Sequence, residues 1–114
     1  MTLFVDTSIL YAVADRTDTG NATAKAILMS GESLITSDHV LVESWRLIQR
    51  RLGHRAADDF WAGIRAGSIE LSVVGSIDLE AAWVIGATYP DQGFSIVDRT
   101  SFAVMLRLGI HRAA

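Results

Sequence analysis

The sequence predicts an α/β layered fold, and three observations carry the prediction. Leu3–Val5 is a short, wholly apolar run, as expected for a strand buried on both faces of a parallel sheet. Ile69, Leu71 and Val73 alternate with Glu70 and Ser72, the pattern of a half-buried strand. Between these runs, apolar residues recur at helical spacing in segments that stop at Gly31, Gly53, Gly67 and Gly109. Strands that alternate with helices stack into α/β layers.

The elements follow in order. After the first strand, Thr7 or Ser8 can cap a helix carrying Ile9, Leu10, Ala12 and Val13. A second helix is expected from about Asn21 to Met29, with Ala24, Ile27 and Leu28 on one side. Ser33–Thr36 forms a short second strand. Ser37 or Asp38 caps a third helix through Leu52, on which Leu41, Trp45, Ile48 and Leu52 make an apolar stripe. A fourth helix carries Ala57, Phe60, Trp61 and Ile64. Ile69–Val73 is the third strand, and Ser76 opens a helix through about Ala87. Tyr89–Gly93 turns around Pro90, and Ser95 opens the last helix, which ends near Gly109. Trp45, Phe60, Trp61 and Trp83 occupy apolar helical positions and are expected in the core. Ile110 looks like the entry to another strand that does not arrive before Ala114.

Size and composition set the limits. A chain of 114 residues and 12.4 kDa makes one domain. Folded, it should expose about 6,100 Å². The absence of cysteine rules out disulfides and Cys-type zinc sites. A net charge of −3 excludes a globally basic nucleic-acid binder, so contact with nucleic acid needs a local basic patch and a cation. Arg46, Arg50, Arg51 and Arg55 with His54 form the densest basic segment, either a solvated helix face or an RNA backbone contact. The N-terminus has no basic region, and Asp6 interrupts the apolar run too early for a signal peptide. No apolar stretch approaches the roughly 18 residues that span a bilayer. A cytoplasmic address with no membrane contact is the expectation.

Three acids are candidates for chemistry. Asp6 stands at the carboxyl end of the first strand, where open α/β sheets bind ligands; its structural alternative is a helix cap. Glu43 lies about 40° beyond Leu47 on a helical wheel, at the border of the buried face. It can face a cleft or pair with Arg46. Asp98 can serve a site or close a capping box with Ser95. Three carboxylates meeting at one end of a sheet repel unless a cation sits among them. Oxygen-only ligands suit Mg²⁺ or Mn²⁺, and such a centre supports phosphodiester hydrolysis without a protein nucleophile. His39, His54 and His111 have no metal-ligand spacing, and neither a Gly-x-Ser-x-Gly elbow nor a phosphate-binding Gly-rich loop occurs.

Three ordered segments then sharpen the picture: Phe4-Val5-Asp6-Thr7-Ser8, Thr36–Glu43, and Phe94–Met105 with Asp98 at its centre. Together they resemble the PIN-domain ribonucleases, and among them the VapC toxins of bacterial type II toxin–antitoxin pairs. The resemblance implies a three-layer α/β/α sandwich with a parallel central sheet. It implies Asp6, Glu43 and Asp98 as catalytic metal ligands for Mg²⁺ or Mn²⁺, with Thr7 and Ser8 as supporting hydroxyls. It also implies an RNA substrate, with Arg46, Arg50 and Arg51 as candidate contacts, a homodimer, and a cognate VapB-type antitoxin. The family usually supplies a further acid beyond the last helix, and none can be assigned here. On that ground the C-terminal strand is expected to be missing, a sheet edge exposed, and metal binding or activity weaker than in a longer relative. The alternatives are a PIN-like module that binds RNA or a partner without cutting, and a phospho-acceptor domain. The latter needs a lysine at the site, and the only lysine is Lys25 on an early helix.

Overall fold

The computed structural model describes residues 2–114. Three strands alternate with helices: β1 (Thr2–Phe4), α1 (Thr7–Ala14), α2 (Asn21–Leu28), β2 (Ser33–Ser37), α3 (Asp38–Leu52), α4 (His54–Arg65), β3 (Glu70–Ser72), α5 (Ser76–Thr88), a 3-10 turn (Pro90–Gln92) and α6 (Ile96–Leu108). The strands lie in the order β1-β2-β3 and are all parallel, with Leu3 beside Leu34 and Phe4 beside Ile35. Successive residues of a strand point to opposite faces. Leu3, Phe4, Leu34 and Ile35 are all buried, so helices cover both faces and the fold is a three-layer α/β/α sandwich. Right-handed crossovers put α1–α4 over one face as the chain steps from β1 to β3, and α5 and α6 over the other on the way back.

The expected missing strand has in fact begun. Phe4 N donates to the carbonyl of Arg112 (2.9 Å), Ala114 N to the carbonyl of Phe4 (2.8 Å), and Asp6 N to the carbonyl of Ala114 (3.0 Å). Phe4 and Ala113 form a parallel bridge. The outer edge of β1, expected to be exposed, is therefore paired along residues 112–114. With this tail beside β1, the connections leave β1 in opposite senses on its two sides. That makes the carboxyl end of β1 the topological switch point, where α/β sheets open a crevice.

The buried side of α3 is centred on Val40, Leu41, Ser44 and Ile48, as the stripe requires, while Leu52 at its border is 38% exposed. Several expected core residues are not core. Leu71 (40% exposed) and Val73 (68%) lie in or just after the edge strand β3 and are largely open, so only Ile69 of that alternation is buried. Trp61 (47%) and Trp83 (74%) are exposed too. Helix α5 is apolar nearly all round, and its packing against α6 covers only one side. The chain accordingly exposes 7,095 Å², about a thousand Å² more than its mass predicts.

Ser44 is fully buried on α3, and its hydroxyl has no hydrogen-bond partner among the described residues. An unmade buried hydrogen bond is costly, and alanine is the better helix former. Ser44→Ala is expected to stabilise the protein by about 1 kcal/mol, a melting shift of about +4 °C by calorimetry. A lower melting temperature would contradict this.

Candidate functional site

Asp6 stands two residues past the end of β1 and keeps extended backbone, so its side chain sits over the first turn of α1. Its Oδ1 accepts from Ser8 N (3.0 Å) and, more weakly, from Ile9 N (3.4 Å). Asp6 is therefore the helix cap that was expected of Thr7 or Ser8. The helix starts at Thr7, and only the preceding residue reaches its free amides. The two hydroxyls orient the acids instead. Ser8 Oγ donates to Asp6 Oδ1 (2.6 Å), and Thr7 Oγ1 donates to Glu43 Oε1 (2.6 Å). The Thr7 bond ties the start of α1 to α3.

Glu43 is half-buried. Among the described residues it makes no ion pair with Arg46; the ion pairs are His54–Asp58, Arg107–Asp78 and Arg112–Glu32. The surface-pair alternative for Glu43 is thus replaced by the bond from Thr7. Asp98 is exposed in the first turn of α6. The capping box anticipated from sequence is present: Asp98 N donates to Ser95 Oγ (3.0 Å), and Ser95 N donates to Asp98 Oδ2 (3.0 Å).

A cleft of about 590 Å³ opens at this end of the sheet. Thr7, Glu43 and His39 line it with Arg46 and Arg50, and Ile96 and Val97 of α6 form the facing wall. Asp6 and Asp98 do not line it; each is the chain neighbour of a residue that does, Thr7 and Val97. Arg51 does not line the cleft; its guanidinium lies over the Tyr11 ring, 5.1 Å from the centroid. His39 is the lining residue that sequence reasoning missed. Its signal was its position four residues before Glu43, on the same side of a helix.

The donor chemistry suits a hard divalent cation. Each acid commits one oxygen to a bond within the protein: Oδ1 of Asp6, Oε1 of Glu43 and Oδ2 of Asp98. None of the hydrogen bonds described uses the other oxygen, which fits the oxygen-only sets that Mg²⁺ and Mn²⁺ prefer. Among the described residues, no three metal-type side chains stand together as a finished cluster.

Comparison with known proteins agrees with this geometry. The PIN domain family model matches residues 3–113. The 23S rRNA-specific endonuclease VapC20 of Mycobacterium tuberculosis, in the CDC 1551 / Oshkosh and H37Rv strains alike, is 41% identical over 118 residues, covering 97% of this chain and 86% of the relative. The crystal structure of VapC20, a Sarcin-Ricin loop cleaving toxin, superposes with a TM-score of 0.91 at 38% identity, over 97% of this chain and 86% of that one. VapBC2 from Rickettsia felis, crystallised with a DNA fragment from its promoter, shares the fold at a TM-score of 0.70 and 11% identity, over 96% of this chain and 83% of its own. A parallel sheet with its crevice at β1, a family match along almost the whole chain and 41% identity to a relative place this protein in the PIN-domain family.

Proposed function

We propose that this chain is a toxin of the VapC type, an endoribonuclease that hydrolyses RNA phosphodiester bonds with Mg²⁺ or Mn²⁺ held by Asp6, Glu43 and Asp98. The observation that carries the proposal is the Thr7–Glu43 bond inside a cleft that also presents Arg46 and Arg50. A cation held there by Asp6, Glu43 and Asp98 would supply water activation and offset charge developing on the phosphate. The protein's own residues do the rest. Thr7 and Ser8 hold the Glu43 and Asp6 carboxylates in fixed rotamers. Arg46 and Arg50, which no ion pair occupies among the described residues, are free to grip the RNA backbone. Arg51, stacked on Tyr11, is at most an outlying contact.

The substrate class follows VapC20: ribosomal RNA, cut at one exposed loop. Primer extension on 23S rRNA treated with the purified chain tests this, with a single dominant stop expected. Scattered cleavage of transfer and messenger RNA at equal rates would contradict the ribosomal assignment. A second reading, a PIN-like module that binds without cutting, draws on the unfinished acid cluster. It predicts RNA retention with no cleavage at any Mg²⁺ concentration.

A cognate VapB-type antitoxin is the proposed protein partner, and a second copy of the chain is the other. The support for a homodimer is the open apolar face of α5 and α6, with Ile77 (77% exposed), Trp83 (74%) and Leu106 (74%). The excess exposed area is of the size one partner buries in a standard interface, about 800 Å². Trp83→Asp is expected to turn a dimer into a monomer by light scattering. A dimer unchanged by Trp83→Asp would remove this face from the interface. No helix among the described residues is long and apolar enough to cross a membrane, and a cytoplasmic location is proposed with the function.

A further inference from the structure

We propose that His39 is a positioning residue: its hydrogen bond to Thr100 pins α3 against α6 and sets how closely Glu43 and Asp98 can approach one cation. This rests on the reading of those two acids as metal ligands. His39 Nδ1 lies 3.2 Å from Thr100 Oγ1, and Thr100 Oγ1 lies 3.2 Å from the carbonyl of Val97. A threonine hydroxyl carries one proton, and a carbonyl can only accept. Both contacts are satisfied only if Thr100 donates to Val97 and His39 Nδ1–H donates to Thr100. That requires a proton on Nδ1.

The geometry makes this bond a spacer. Thr100 is fully buried, so its oxygen is a rigid anchor. Glu43 lies one helical turn after His39, and Asp98 lies two residues before Thr100. The Thr7–Glu43 bond ties α3 to α1 but does not reach α6. Among the described residues no three such side chains already stand together, so with Glu43 and Asp98 read as ligands the separation of α3 and α6 sets how well the two could share an ion. Outer groups that orient metal ligands typically change metal affinity by about 10- to 100-fold when removed.

The test uses five variants and two readouts, neither of which depends on turnover. Mn²⁺ binding to metal-free protein is measured by titration calorimetry. The His39 tautomer is read from imidazole ¹⁵N shifts. Thr100→Val keeps the buried shape but removes the acceptor, and His39→Ala removes the donor. Each is expected to weaken Mn²⁺ binding by about tenfold or more, and the double variant no further than either single. In Thr100→Val the Nδ1–H signature disappears. His39→Asn, whose side-chain amide can replace the Nδ1 donor, is expected to bind Mn²⁺ close to the parent. Parent-like Mn²⁺ binding in Thr100→Val, alongside loss in Glu43→Gln, would overturn the pin alone. Parent-like binding in Glu43→Gln would overturn the metal reading and the pin with it. Full loss in His39→Asn with none in Thr100→Val would make the ring itself the functional group and refute positioning through Thr100.

Discussion

Asp6→Asn is expected to lower RNA cleavage by about 10²- to 10³-fold while leaving the fold intact. The cation's contribution to stabilising charge at the phosphate is several kcal/mol, and each 1.4 kcal/mol is about tenfold in rate. On the proposed metal reading, asparagine removes a charge that would hold the ion. It keeps the capping role, because Asn and Asp are comparable caps and the Asn oxygen can still accept from Ser8 N. The thermal cost should be below about 1 kcal/mol, mainly the lost favourable charge at the helix N-terminus. Asp6→Ala separates the two roles. It should be as inactive as Asp6→Asn and further destabilised by about 1 kcal/mol through the lost cap. Single-turnover cleavage and calorimetric melting of the three proteins check this. Parent-like cleavage in Asp6→Asn would remove Asp6 from the site and leave it a cap alone.

Asp78→Ala is expected to cost more stability than Asp6→Ala. Asp78 is 2% exposed. Its oxygens accept from Arg107 Nε (2.8 Å), Arg107 Nη2 (3.1 Å) and Gly75 N (3.1 Å). Arg107 also reaches Ser72 Oγ (3.3 Å), so the pair joins α5, α6 and the end of β3. Removing one partner of a buried pair strands the other charge. Because Arg107 is partly open to water, the expected loss is about 2–3 kcal/mol, at or below the lower end of the buried-pair range. The Arg107 hydrogen bonds hold Asp78 below the usual carboxylate range, against the opposing effect of burial. A carboxylate with a depressed folded pKa contributes stability above its unfolded value, and that contribution is lost as pH falls through the folded one. The gap between parent and Asp78→Ala should therefore be full at pH 7 and narrow below about pH 4. Asp15, lowered by the Tyr11 hydroxyl and by Thr17, leaves part of the acid sensitivity in place in the variant. Urea melts from pH 3 to 7 measure this. A pH-independent gap would mean that Asp78 stabilises by packing alone.

The order of strands and helices was legible because it depends on local signals. Ser37 and Ser95 cap where expected, and Gly109 ends α6 with φ 68° in the left-handed region that glycine tolerates. A cap at Asp6 was legible only as one alternative beside Thr7 and Ser8. Asp6, Thr7 and Ser8 are all capping residues in one turn, and only the path of the chain decides which oxygen meets which amide. The exposure of Trp83 was hidden for another reason: spacing identifies an apolar face but not whether the same chain covers it. The pairing of residues 112–114 with β1 was too short to leave a pattern. At the site, the three acids and two hydroxyls were visible as residue types in order. What each hydroxyl serves was not: Thr7 finds its partner 36 residues away, and His39 finds Thr100 at a separation of 61. Such contacts are set by how α1, α3 and α6 converge at the end of the sheet.

The most direct test of the metal-centred site is cleavage of a 23S rRNA fragment by the purified chain, first with EDTA and then with Mg²⁺ restored, with Glu43→Gln alongside. The expected result is no cleavage in EDTA, recovery on adding Mg²⁺ in excess, and no recovery in Glu43→Gln. Cleavage that persists in EDTA, or a Glu43→Gln protein that recovers as fully as the parent, would contradict it.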